Sequence, residues 1–155
     1  PETVDLSINK QNIQQLLEVF DAMDEQVLLT LPNNDALGAY AREEFIKYAK
    51  TNPRFYVYDF LGVEGYYSAM THCAYMLGNS SSGIIEAASF NCYVVNVGDR
   101  QKGRHSSINV HHTKCLKDDI LAEINKIMEL VPYADGNIYY NEDTLKIIIR
   151  LLELD

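Results

Sequence analysis

Apolar positions along this chain alternate between a helical period and short continuous runs. Residues 9–23 place Ile13, Leu16, Leu17 and Phe20 at helical spacing, and Gln26-Val-Leu-Leu-Thr-Leu31 follows as a strand. Pro32-Asn-Asn-Asp35 reads as a turn and a helix start, after which Leu37, Ala41, Phe45 and Tyr48 mark a second helix that stops before Asn52-Pro53. Phe55-Tyr-Val-Tyr58 predicts a second strand, Tyr66 to Ala74 a helix, and Ala74-Tyr-Met-Leu77 a short third strand. A polar loop over Gly78 to Gly83 leads into a short helix, Ile84 to Phe90. Tyr93 to Val97 is a fourth strand and Asn109 to His112 a fifth, with a helix through Ile120, Ile124 and Met128 behind them. Tyr133 to Asn141 reads as a loop and residues 142–154 as the last helix.

Strands that are apolar throughout, each separated by a helix, predict an α/β domain: a three-layer, Rossmann-like, doubly wound parallel sheet covered on both faces. The 155 residues fit one domain, 1–155, with no internal repeat or linker. The last helix carries two apolar stripes, Leu145, Ile148, Ile149 and Leu152 on one side and Ile147, Leu151 and Leu154 on the other. A surface helix needs one. Either it is wedged between two elements of this domain, or one stripe covers a domain or subunit absent from this chain.

Composition narrows the function. Thirteen Lys and Arg against 22 Asp and Glu give a formal net charge of -9, which excludes non-specific nucleic-acid and membrane-surface binding but not a local phosphate site. Three cysteines without paired spacing do not form a disulfide framework, and no C-x-x-C or His–carboxylate spacing marks a metal site. Cys73 and Cys92 lie in apolar runs and are expected as buried thiols, and His72, in an apolar helix, as a partly buried structural residue. No signal peptide or long apolar span is present, so a cytoplasmic location is expected. The start at Pro1 leads to the expectation of a processed chain or a fragment.

The most specific segment is Gly78-Asn-Ser-Ser-Ser-Gly83-Ile-Ile-Glu86, which follows a strand and opens a helix. Small residues let backbone amides approach an anion, serine hydroxyls add donors, and a helix start adds partial positive charge. It is neither a Walker A loop nor a G-x-G-x-x-G fingerprint. Glu86, one helical turn on, suits the two hydroxyls of a ribose; the alternative is a capping box serving the helix start. The next strand is followed by Val97-Gly-Asp-Arg100-Gln-Lys-Gly103-Arg104, which sets three cations beside the serine loop. Guanidinium forks match phosphate geometry. His105, His111 and His112 read as structural. The aromatic stretch Tyr56 to Tyr67 reads mostly as core, with its turn Asp59-Phe-Leu-Gly62 free to offer backbone groups to a nucleobase.

At these loops the chain resembles the UDP-N-acetylglucosamine 2-epimerases, most closely their hydrolysing, sialic-acid-pathway type. The resembling residues are Gly78-Asn-Ser-Ser-Ser-Gly-Ile-Ile-Glu86 and Asn96-Val-Gly-Asp-Arg-Gln-Lys-Gly-Arg104, supported by Pro32-Asn-Asn-Asp35, Asn109-Val and Tyr133-Ala-Asp-Gly-Asn137. The nonhydrolysing relatives usually carry an Asp-Ser-Gly-Gly type loop instead. Ala134 stands where a glycine is more usual, and Asn91-Cys92 where Gly and Pro often sit. The resemblance implies two Rossmann-like domains of the glycosyltransferase-B type, with this chain as the C-terminal, UDP-binding one. Ser80 and Ser81 would hold the diphosphate with the Gly83 backbone, Glu86 the ribose, and Arg100 a phosphate with help from Arg104. The backbone around Phe60 and Leu61 would meet the uracil.

The family's reaction eliminates UDP from the sugar nucleotide and adds water to the glycal, giving N-acetylmannosamine, without a redox cofactor. Its acid/base carboxylates belong to the N-terminal domain, so no catalytic residue and no metal is expected in this chain, which alone should bind without turning over. Pro1-Glu-Thr3 matches the residues just after the family's junction histidine. The expected partners are a UDP-sugar, the missing domain and further copies in a homo-oligomer. The alternatives are a hydrolysing enzyme for a UDP-diacetamido-bacillosamine, a nonhydrolysing epimerase, a stand-alone nucleotide-binding module, and a glycosyltransferase of the same architecture, which the Arg-Gln-Lys-Gly-Arg loop fits poorly.

Overall fold

The computed structural model describes residues 5–32 and 36–153, with the backbone alone at 36 and 37. Expectations that fall on Pro1-Glu-Thr3, on residues 33–35 and on Leu154 lie outside the described residues. Helix α1 (Leu6–Ala22) begins before residue 9 because Asp5 caps it: the carboxylate accepts from the amides of Ser7 at 2.8 Å and Ile8 at 3.1 Å. At its other end the Arg54 guanidinium donates to the carbonyls of Phe20, at 3.4 Å, and Met23, serving groups that a helix end leaves unpaired. There follow β1 (Val27–Thr30), α2 (Ala36–Thr51), β2 (Phe55–Tyr58), α3 (Gly62–His72), β3 (Met76–Gly78) and α4 (Ser81–Ile85). A 3₁₀ turn (Ala87–Phe90), β4 (Val94–Val97), β5 (Val110–Thr113), α5 (Lys117–Met128) and α6 (Thr144–Leu152) complete the described chain.

All strand pairs are parallel, β1–β2 in one sheet and β3–β4–β5 in another. β4 is buried along its whole length, and its side chains alternate between two clusters. Val95 and Val97 join Phe20, Phe45, Ile120 and Ile124 from α1, α2 and α5. Val94 joins Met70, Ile84, Ala87 and Val110 on the other face, beneath α3, α4 and the 3₁₀ turn. The result is the expected α/β arrangement of three layers. Val27 and Leu29 of β1 pack on the same cluster as Tyr75 and Leu77, so the two sheets share one core.

Several expectations need correction. α3 starts at Gly62, not Tyr66, and β3 at Met76, not Ala74. The stretch from Tyr56 to Tyr67 is not mostly core: Phe55 is buried, but Tyr56, Tyr58 and Val63 are exposed and Phe60 is 81% exposed. β2 pairs only with β1, and α3 packs on the 3₁₀ turn, leaving one face of β2 uncovered. His72 and Cys73, at the end of α3, are exposed rather than buried. Finally, α6 is not wedged within this domain. None of its residues is buried, and the described residues of both stripes are exposed. No helix among the described residues is long and apolar enough to cross a membrane.

Candidate functional site

The serine segment is itself the helix start, not a loop preceding one at Ile84. Ser80 is the N-cap of α4, extended at φ -72° and ψ 145°, and its Oγ accepts from the Ser82 amide at 3.3 Å. A serine side chain satisfying a first-turn amide favours helix over open loop at this point. The helix breaks after Ile85 into the 3₁₀ turn, closed by Asn91 at φ 55°, a left-handed conformation that asparagine tolerates. Glu86 sits at the break and makes no capping box. Its carboxylate accepts from the Tyr67 hydroxyl at 3.2 Å, and its charge, then this bond, hold the Tyr67 phenol above its ordinary pKa. Gly83 lies so close to β4 that a Cβ would fall 2.9 Å from Val94 Cγ1, and its amide donates to the Ser80 carbonyl at 3.2 Å.

At the carboxyl ends of β1, β3 and β4 lies a cavity of about 530 Å³. Asn79, Ser80 and Ser81 line it from one loop and Arg100 from the next, facing Thr30 and Tyr66. Among the described residues its lining has one charged side chain, Arg100. Two hydroxyls and an unopposed guanidinium can hold an anion, and this lining offers no carboxylate for proton transfer. Of the remaining sequence-predicted residues, Gly83, Glu86, Arg104, Phe60 and Leu61 do not line this cavity. Arg104 is exposed beyond the Gly103 turn, at φ +84°, and Leu61 lines a second cavity of about 530 Å³ beside β1 and β3.

One residue to which the sequence reading gave no role joins the two loops. Gln101 is 3% exposed and donates from Nε2 to the Asn79 carbonyl at 2.8 Å, while its Oε1 is buried without a partner among the described residues. The signal for it was an uncharged amide between Arg100 and Lys102 in an otherwise cationic turn. Asn137 does similar work behind α4: its Nδ2 donates to the Ile85 carbonyl at 2.8 Å and to Ser89 Oγ at 2.7 Å, fastening the Tyr133–Asn141 loop to the broken helix. The histidines of β5 are engaged in packing. His111 Nδ1 lies 3.1 Å from Glu123 Oε2, and His112 Nδ1 lies 3.0 Å from Asn96 Nδ2.

The sequence model of the UDP-N-acetylglucosamine 2-epimerase family matches residues 2–153. A UDP-N,N'-diacetylbacillosamine 2-epimerase (hydrolyzing) of Legionella pneumophila is 33% identical over 144 residues, covering 93% of this chain and 38% of that protein. A UDP-N-acetylglucosamine 2-epimerase of Neisseria meningitidis is 25% identical over 154 residues, 99% of this chain and 40% of that protein. This chain thus spans about 40% of the length of these relatives. The crystal structure of the Methanocaldococcus jannaschii UDP-GlcNAc 2-epimerase, in complex with UDP-GlcNAc and UDP, has the same fold. It superposes with a TM-score of 0.73 at 12% identity, over 95% of this chain and 41% of that one. From a match that runs nearly end to end, with a relative at one-third identity over nine-tenths of the sequence, it follows that this chain belongs to the UDP-N-acetylglucosamine 2-epimerase family.

Proposed function

We propose that this chain is the C-terminal, UDP-binding half of a cytoplasmic, hydrolysing UDP-N-acetylglucosamine 2-epimerase, which converts its sugar nucleotide and water to N-acetylmannosamine and UDP. The observation that carries the reading is the strand-end cavity in which Ser80 and Ser81 stand beside Arg100, the one charged side chain of the described lining. The Arg100 fork takes a phosphate of UDP. Ser80 accepts from the Ser82 amide and donates its own proton to Ser82 Oγ at 3.4 Å, so rotation of this hydroxyl turns the proton to the diphosphate while the cap stays in place. The Gly83 backbone and Arg104 assist. Glu86, oriented by Tyr67, takes the ribose hydroxyls, and the backbone at Phe60 and Leu61 receives the uracil.

The chemistry assigned to this half is leaving-group stabilisation. As the C1–oxygen bond breaks, negative charge accumulates on the departing UDP, and donors already aimed at it lower the barrier. The proton transfers at the sugar belong to carboxylates of the N-terminal half, and the whole works as a homo-oligomer. A second reading keeps the reaction and changes the sugar to a UDP-diacetamido-bacillosamine. The higher identity to the Legionella pneumophila relative named for that substrate, 33% against 25%, favours it.

Calorimetric titration of UDP and of uridine tests the site. Binding in the millimolar-to-micromolar range, roughly -4 to -8 kcal/mol, is expected of half a cleft. Glu86→Ala should weaken UDP and uridine alike, and Arg100→Ala mainly UDP. A folded protein that binds no UDP, or an Arg100→Ala variant that binds it as well as the parent, rejects the assignment. Assaying the protein that carries this chain with both sugar nucleotides separates the two substrate readings.

A further inference from the structure

Two cysteines meet at the edge of the sheet opposite the cavity. Cys73 closes α3, and Cys92 lies between Asn91 and β4. Because β3 and β4 run parallel with Met76 opposite Val94, the residues just before each strand arrive side by side. Cys73 Sγ lies 3.4 Å from Cys92 Sγ, although the two are 19 positions apart in sequence.

The two thiols are unlike. Cys73 is exposed and also lines the cavity beside β1 and β3, whereas Cys92 is 2% exposed. The contact with Cys92 holds the Cys73 thiol down at about 7, and the same contact, then burial, push Cys92 up. An accessible sulfur that ionises readily, touching a buried one, is the arrangement of an attacking and a resolving cysteine.

We propose that Cys73 and Cys92 form a reversible redox-modification site that takes a low-molecular-weight disulfide as oxidant. The Cys73 thiolate attacks one sulfur of RSSR, forming a mixed disulfide and expelling RS⁻. Cys92, deprotonated, attacks the Cys73 sulfur, forming the Cys73–Cys92 bond and expelling the second RS⁻. The two cysteines lose two electrons and two protons, and RSSR becomes two RSH. The bond closes a loop from 73 to 92 that contains β3, α4 and the 3₁₀ turn, and so Ser80, Ser81 and Glu86. It forms at the amino ends of the strands, away from the anion-lining groups, and its effect is to lock the unit that carries them. This proposal stands whether or not the cavity takes UDP.

The test is incubation of the purified protein with oxidised glutathione at pH 8, differential alkylation and peptide mass mapping. Linked Cys73 and Cys92 peptides are expected, reversed by dithiothreitol, with Cys115 recovered in alkylated form. Cys115 is partly buried, and its Sγ donates to the Asn12 carbonyl at 3.5 Å. Cys92→Ser should stop at a glutathione adduct on Cys73, and Cys92→Ala, which leaves no polar group in the buried position, should trap the same adduct. Cys73→Ser should give neither product. Amide exchange across residues 76–90 should slow about tenfold or more on oxidation, as loop closure of this size predicts. A parent protein that stops at the adduct, or a Cys73 no more reactive than Cys115, overturns the proposal.

Discussion

Replacing Gly83 with alanine separates helix packing from anion approach. On propensity alone alanine favours a helix by about 0.8–1.0 kcal/mol over glycine. Here the added Cβ would sit 2.9 Å from Val94 Cγ1 and 3.7 Å from Met76 Sδ. Val94 has little room to retreat: it is 2% exposed, pairs with Met76 on one side and Val110 on the other, and its amide donates to the Asn109 carbonyl at 2.9 Å. Overpacking of this kind costs about 1–3 kcal/mol, so the net loss is about 0–2 kcal/mol, a Tm fall of up to roughly 8 °C for a chain of this size. The assay is urea unfolding of the parent, Gly83→Ala, Val94→Ala and the double variant. Removing the Val94 methyls makes room, so the cycle should show a favourable coupling of about 1–2 kcal/mol. Losses that add within about 0.5 kcal/mol refute the packing argument. UDP titration of the same proteins adds a second reading: affinity that stays low despite the coupling would mean that the glycine also serves the anion.

Gln101→Ala removes the bond to the Asn79 carbonyl, costs about 1–3 kcal/mol in unfolding experiments, and weakens UDP more than uridine in titrations. Burial, then the charge of Glu25, push the Tyr75 phenol up to about 12. A group raised in the folded state contributes stability below its unfolded value, about 10, and loses it as pH rises through the folded one. Tyr75→Phe should therefore flatten the alkaline limb of a Tm-against-pH curve. Hydrogen bonds from Lys126 and then His111 hold the Glu123 carboxyl below its usual range. That stability is present above the unfolded value and lost as pH falls through the folded one, so Glu123→Gln should flatten the acid limb below about pH 4. The isolated chain should self-associate through α6, where Leu145 is 68% and Leu152 72% exposed, and Leu145→Lys with Leu152→Lys should return it to monomer in sedimentation.

Every predicted strand and helix among the described residues was legible from apolar spacing, because a buried parallel sheet leaves continuous apolar runs that little else imitates. The errors fall where a cap or an edge decides. Asp5 and Ser80 each start a helix earlier than periodicity indicates, because their side chains satisfy first-turn amides, two for Asp5 and one for Ser80. Tyr56 and Tyr58 look like core in sequence because aromatic residues favour strands. Their exposure follows from β2 having a single neighbour, which composition does not reveal. The thiol pair was invisible for the same reason, since it exists only through the register of β3 on β4.

The candidate site shows how two loops separated along the chain act as one. β3 and β4 pair with Gly78 opposite Asn96, so the chain leaves the sheet at neighbouring positions, about 4.8 Å apart. The serine helix grows from the first exit and the cationic turn from the second. With this spacing, a single buried amide suffices to join them. Gln101 reaches the Asn79 carbonyl without carrying charge into the proposed anion site. A lysine there would compete with Arg100 for the anion, and a carboxylate would oppose it. The uncharged residue in the middle of the basic turn thus ties the loop that carries Arg100 to the loop that carries Ser80 and Ser81.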